Sequence, residues 1–165
     1  MGVTSPALYH HFGNKSDLLD EVIRLALRDV REPDRTQPWP QQMTEMAAAL
    51  RSTLIERPWL ATAIVTHRYR RFASHIVGET AAAMAAAKVP VRLIPLVMDS
   101  VEDYVYGAAI ASVTEFEPMP AVIPGLADYP EVAATLGKPR DSDATFQGGL
   151  KAILAGWQAT IAALG

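Results

Sequence analysis

Cysteine is absent from the 165-residue chain, which excludes disulfides, thiolate metal sites and cysteine-based catalysis. No apolar run approaches the roughly 20 residues that a membrane-spanning helix needs. The opening residues also lack the charged-then-apolar pattern of a secretory leader. We therefore expect a cytoplasmic protein that has no membrane partner.

Strong net charge is lacking as well. The sequence contains 15 Lys and Arg against 18 Asp and Glu, a formal net charge of −3. A protein that binds nucleic acid with its whole surface would be basic, so any contact with DNA must come from a local patch. Half of the residues are hydrophobic, which is enough to build one core of ordinary size.

Enzyme and metal-site motifs are also missing from the sequence, including G-x-S-x-G, H-E-x-x-H and a phosphate-binding glycine loop. His10 and His11 are adjacent, so on a helix their side chains diverge by about 100° and cannot chelate one metal. His67 and His75 are eight residues apart, roughly 12 Å along a helix. We predict a protein that is not an enzyme and that uses no metal or cofactor.

Helical periodicity is what the sequence does contain. Apolar residues recur three and four positions apart along most of the chain, and no long alternating run indicates a sheet, so the predicted fold is all-α. The proline-rich segment 33–40 is a predicted connector between a head, residues 1–32, and a body, residues 41–165. The predicted helices that follow the opening segment are 15–31, 41–56, 59–67, 72–87, 91–115, 129–136 and 142–164.

The opening segment contains the signals for one short helix, a tight turn and the start of a second helix. Ser5 is a suitable N-cap, Pro6 suits the first helical position, and Gly13 can end the helix. A helix this short needs neighbours to hold it in place. Its outward side chains are small or hydrogen-bonding, as the DNA major groove requires. The predicted DNA-contacting residues are Thr4, Ser5, Pro6, Ala7, Tyr9, His10, His11 and Lys15.

The same segment resembles the recognition-helix signature of the tetracycline-repressor (TetR) family of bacterial transcription regulators. The matching residues are Gly2, Val3, Leu8, Tyr9, His11, Phe12, Asn14, Lys15, Leu18 and Leu19. The resemblance implies a regulator, most simply a repressor, that binds operator DNA as a homodimer and is released by a small-molecule effector. It also implies a helical C-terminal domain for ligand binding and dimerisation.

Members of that family have two further helices before this segment, and the chain as given begins after them. The head is therefore expected to be a remnant of a helix-turn-helix domain, consisting of the recognition helix and the following connecting helix. An alternative function stays open on the sequence alone. The chain would then be a truncated module that no longer binds DNA, keeps its dimerising and ligand-binding body, and acts through partner proteins.

The two long helices at 91–115 and 142–164 are apolar on more than one face, so part of that surface would stay wet in a lone subunit. This pattern predicts a homodimer in which both helices and their copies form a four-helix bundle. The resemblance implies the same pairing. The predicted interface residues are Val101, Val105, Ala108, Gly149, Ile153 and Trp157.

The remaining body helices are expected to enclose a cavity, where members of the resembling family bind their effector. The predicted lining combines apolar bulk with a few polar groups, and its residues are Trp59, His67, Met98, Glu102, Tyr106 and Phe116. For Trp59, Met98 and Phe116, a plain role in the hydrophobic core is an equally open interpretation.

Overall fold

A computed structural model describes residues 14–67, 74–114, 125–126, 128–136, 138 and 140–164, without the side chains of residues 67 and 74–77. Every regular element in these ranges is a helix, which confirms the predicted all-α fold. The predicted helix at residues 4–12 lies outside them. The helices are α1 Lys15–Leu27, α2 Trp39–Glu56, α3 Pro58–His67, α4 Ser74–Ala86, α5 Ile94–Val113, α6 Pro130–Leu136 and α7 Ser142–Ala162.

The first described helix, α1, begins where the sequence predicts. The side chain of Asn14 accepts a hydrogen bond from the backbone N–H of Asp17 at 3.0 Å, so it caps the helix as expected. Ile23 and Leu27 are buried against the body, where α1 contacts α3. The helix ends at Leu27 because a tight turn follows, in which the N–H of Val30 bonds to the carbonyl of Leu27 and Val30 becomes buried.

The connector between α1 and α2, residues 28–38, is attached to the body by polar contacts. The backbone N–H of Asp34 donates to Glu45 Oε2 on α2 at 2.8 Å. Arg35 forms an ion pair with Glu79 on α4 at 2.9 Å. The connector is therefore tied to two different body helices.

Helix α5 lies at the centre of the body and packs against α2, α3, α4 and α7. A short 3-10 turn, Val91–Leu93, leads into it, and Pro95 falls in its first turn, where the missing N–H breaks no helical bond. Its inward residues fill the core together with those of α2 and α7. The fully buried large side chains include Met43, Met46, Leu50, Leu54, Leu60, Met84, Val97, Val101, Val105, Phe146 and Leu150.

A membrane-spanning helix would have to be both long and strongly apolar. No helix in the described part of the chain meets both conditions.

Candidate effector site and helix surfaces

One side of α5 is fixed to α7 by hydrogen bonds and ring stacking. Ser100 Oγ accepts a hydrogen bond from Trp157 Nε1 at 2.8 Å. Tyr104 Oη lies 3.1 Å from the carbonyl oxygen of Thr145 and 3.2 Å from that of Phe146, and it donates to this pair. The Tyr104 and Phe146 rings are stacked, with centroids 5.6 Å apart and planes inclined by 6°. These contacts set the position of α7 on α5.

Gly149 is what allows Tyr104 to come so close to α7. A Cβ atom at this position would overlap the hydroxyl and ring carbons of Tyr104, whereas one at Gly148 or Gly156 would meet nothing within 4 Å. The sequence predicts that Gly149 contacts a second subunit. Within the subunit, the group that packs over Gly149 is Tyr104 of its own chain, and the contact with a second subunit stays a prediction.

Arg51 joins α2 to the same pair of helices. Its guanidinium donates to Asp143 Oδ1 at 2.7 Å and to the hydroxyls of Ser142 and Ser112 at 2.8 and 3.0 Å. It also lies over the Phe146 ring, 4.7 Å from the centroid. Arg51 is only 8% exposed and its Nε has no hydrogen-bond partner, but the Asp143 side chain is 81% exposed. Because Asp143 stays solvated, the pair carries less desolvation cost than a fully buried one.

The opposite side of α5 contains buried polar groups that lack such contacts. Among the described residues, the buried Thr80 Oγ1 on α4 has no hydrogen-bond partner, and the buried Tyr106 Oη has none of good geometry. Burial is the main cause that raises the pKa of Tyr106, followed by the charges of Glu102 and Asp103 and by a hydrogen-bonding contact with the Glu102 carboxylate. The phenol therefore stays neutral and remains a hydrogen-bond donor.

A buried polar group without a partner costs about 1–3 kcal/mol, so such groups are uncommon in folded proteins. A bound ligand that offers hydrogen-bonding atoms would remove this cost. Tyr106, with the buried Met98 on the same side of α5, and Thr80 on the neighbouring helix α4 are thus candidate effector-site residues.

The predicted effector-site residues fall into three groups. Met98, Glu102 and Tyr106 lie on one side of α5, with Met98 and Tyr106 buried and Glu102 partly buried. Trp59 on α3 is 48% exposed, so it does not lie in the interior. The side chain of His67, and Phe116 as a whole, lie outside the described residues.

Thr80 is a further candidate that was not predicted. It is completely buried on α4, one turn before the equally buried Met84. A signal for it exists in the sequence, since Thr80 interrupts a row of apolar residues spaced four apart.

Two of the six predicted dimer-interface residues are enclosed by their own subunit, and the other four stay a prediction. Val101 and Val105 are fully buried within the subunit core, so they present no surface to a partner. Ala108, Ile153 and Trp157 are partly buried and pack against the same core. The physical reason is that the most apolar row of α5 fills its own subunit. The outward faces of α5 and α7 include the small residues Gly107, Ala152, Gly156 and Ala159, together with Ile110.

The predicted DNA-contacting residues divide at the start of the described chain. Thr4, Ser5, Pro6, Ala7, Tyr9, His10 and His11 lie outside the described residues. Lys15 is exposed at the first position of α1.

Comparison with known families agrees with this helical architecture. A family model described as tetracyclin repressor-like, C-terminal domain, matches residues 32–161, and the model for bacterial regulatory proteins of the tetR family matches residues 1–22. The protein is thus of the transcription-regulator class. It belongs to the tetracycline repressor family.

Solved structures show the same fold. Apo ActR from Streptomyces coelicolor aligns with a TM-score of 0.79 at 22% identity, over 99% of this chain and 83% of that chain. BioQ from Mycobacterium smegmatis aligns with a TM-score of 0.69 at 26% identity, over 95% and 81% of the two chains. A putative transcriptional regulator from Streptomyces coelicolor A3(2) gives 0.74 at 25% identity, over 96% and 83%. A search of curated protein sequences found no match.

Proposed function

We propose that this protein is a transcriptional repressor that binds operator DNA as a homodimer and leaves it when a small-molecule effector binds. The observation that carries this proposal is that, among the described residues, the buried hydroxyls of Tyr106 and Thr80 have no hydrogen bond of good geometry, in a body of the tetracycline repressor family. These hydroxyls support the proposal because a ligand with hydrogen-bonding atoms would remove the cost of leaving them without well-formed hydrogen bonds.

The proposed DNA reader is the segment that contains Thr4, Ser5, Pro6, Ala7, Tyr9, His10 and His11, followed by Lys15. Its support is the family match over residues 1–22 and the anchoring of α1 on α3 through Ile23 and Leu27. A body that fixes α1 in this way can also fix the orientation of the segment before it. Lys15 suits contact with a phosphate.

The proposed dimer is formed by the outward faces of α5 and α7. Small side chains such as Gly107, Ala152, Gly156 and Ala159 permit close approach of helices in a four-helix bundle. Gly156→Arg should then produce monomers by light scattering, because the arginine would enter this face. Gln158→Arg is the matched control, two residues further along the same helix on a different face. Equal masses for Gly156→Arg and the wild type would refute the interface.

The proposed effector has an apolar body with at least one hydrogen-bonding group. The apolar part would lie against Met98, and its polar group would pair with Tyr106 or Thr80. It releases DNA only if it binds the released geometry better than the DNA-bound one, and coupling of about 1–3 kcal/mol is typical.

A gel-shift assay on the intergenic DNA beside the protein's own gene tests DNA binding. Tyr9→Ala and His10→Ala should weaken the shift without lowering the melting temperature. A small-molecule screen for thermal stabilisation then finds effectors, since ligands that bind the native state raise its stability. Tyr106→Phe and Thr80→Val should reduce that stabilisation and the release of DNA. Hits that stabilise both variants as strongly as the wild type would place the effector elsewhere.

A further inference from the structure

A cavity lies between the first turns of α2 and the middle of α7, away from Tyr106 and Thr80. It is a surface groove of about 600 Å³. Its floor is formed by Leu150 and Leu154, and Pro40 and Ala155 contribute apolar walls. This volume falls within the range of small-molecule sites, which are mostly apolar clefts with a few placed polar groups.

Polar groups with free donors stand along the α7 edge of the groove. Gln147 and Lys151 are one helical turn apart, so their side chains are neighbours on the same face. Within the described residues, no acidic group lies within ion-pair distance of Lys151. On the α2 wall, Glu45 Oε2 already accepts the N–H of Asp34 at 2.8 Å. At the α7 edge the donors of Gln147 and Lys151 favour an anionic, acceptor-rich group, whereas the charge of Glu45 disfavours an anion at the α2 wall.

We propose that the groove binds a small amphipathic carboxylate of the medium-chain fatty-acid type. The hydrocarbon chain lies along Leu150 and Leu154, where its burial is favoured by the removal of apolar surface from water. The carboxylate accepts charge-assisted hydrogen bonds from Lys151 and Gln147. The groove runs along α7 from Gln147 to Gln158, roughly 16 Å at the helical rise per residue, which is long enough for such a chain. This proposal depends neither on the dimer nor on the interior effector site.

Calorimetric titration with sodium decanoate, kept below its micelle concentration, tests the proposal. The wild type should bind decanoate saturably. Lys151→Met should weaken binding about tenfold, as loss of a charge-assisted hydrogen bond would, and Gln147→Leu should weaken it by a smaller factor. Lys138→Met, which removes an exposed lysine outside the groove, is the matched control and should leave the affinity unchanged. 1-Decanol and decyltrimethylammonium should both bind more weakly than decanoate.

Backbone amide shifts of the 15N-labelled protein locate the bound decanoate. The expected shifts centre on Gly148, Lys151 and Ala155, and they should persist in Tyr106→Phe. That variant separates failure of this proposal from failure of the interior effector site. The proposal is overturned by any of three results. One is the absence of saturable binding, another is equal affinity in Lys151→Met and wild type, and the third is a change of oligomeric state in Lys151→Met, which would make the groove a subunit contact.

Discussion

The hydroxyl groups on the two sides of α5 differ in their hydrogen bonding. On the side that meets α7, the hydroxyls of Ser100, Tyr104 and Ser112 all have hydrogen-bond partners. On the other side, Tyr106 and Thr80 are more deeply buried, and among the described residues their hydroxyls have no hydrogen-bond partner of good geometry. The satisfied side holds the subunit together, whereas the unsatisfied side leaves buried hydroxyls that a ligand can pair with.

This difference matters because it separates stability from function within one helix. Hydrogen bonds that are already made can only be lost by mutation, which lowers stability. An unpaired buried hydroxyl already carries its desolvation cost, so its removal should not destabilise the fold but should weaken a ligand that pairs with it. The following experiments test whether mutations on the two sides change the free energy of unfolding with opposite signs.

The largest effect is expected at Gly149, on the satisfied side. Gly149→Leu should lower the free energy of unfolding by about 3 kcal/mol, because Tyr104 must leave its stacked and hydrogen-bonded position. Gly148→Leu is the matched control, since a Cβ there meets open space and helix propensity improves by up to about 1 kcal/mol. Urea unfolding of both variants measures the difference. Equal stability in the two variants would mean that Tyr104 does not pack against α7 as described.

Arg51 gives the next effect. Arg51→Met should cost about 2 kcal/mol, since it removes three hydrogen bonds and the contact with the Phe146 ring. Asp143→Asn should cost less than about 1 kcal/mol, because Asp143 is largely exposed and the serine contacts remain. If Asp143→Asn lowered the free energy of unfolding as much as Arg51→Met, the ion pair rather than the serine and ring contacts would hold α2 to α5 and α7.

A smaller effect, on the unsatisfied side, concerns alkaline pH. The pKa of Tyr106 is raised in the folded state, mainly by burial, so above about pH 10 the unfolded chain releases this proton while the folded one keeps it. The stability of the wild type relative to Tyr106→Phe should therefore fall by about 1 kcal/mol between about pH 10 and pH 11. Thermal melts of both proteins across this range measure it. A constant difference would show that the phenol ionises freely in the folded protein.

Much of the fold could be predicted from the sequence because its signals are local. Asn14 caps α1 as expected, and Pro95 falls in the first turn of α5 where a proline is tolerated. Regular spacing of apolar residues located every described helix to within a few residues. The family could be predicted from the ordered motif between Gly2 and Leu19 alone.

What the sequence could not decide is which apolar row of a helix faces its own core. Val101 and Val105 look like interface residues on a strongly apolar helix, but α2 and α3 pack over that helix and the core of the subunit encloses both valines. The Arg51–Asp143 contact joins residues 92 positions apart, so local sequence patterns could not predict it. The position of Met98 and Tyr106 on one side of α5 was predictable, because that grouping depends only on helical spacing.

Tyr104 and Tyr106 offer the most direct test, since they are the same residue type two positions apart on one helix. Urea unfolding of Tyr104→Phe should show a loss of about 1 kcal/mol, because its hydroxyl donates to the carbonyl pair at Thr145 and Phe146. Tyr106→Phe should be as stable as the wild type or more stable. Equal losses in the two variants would contradict the division of α5 into a satisfied and an unsatisfied side.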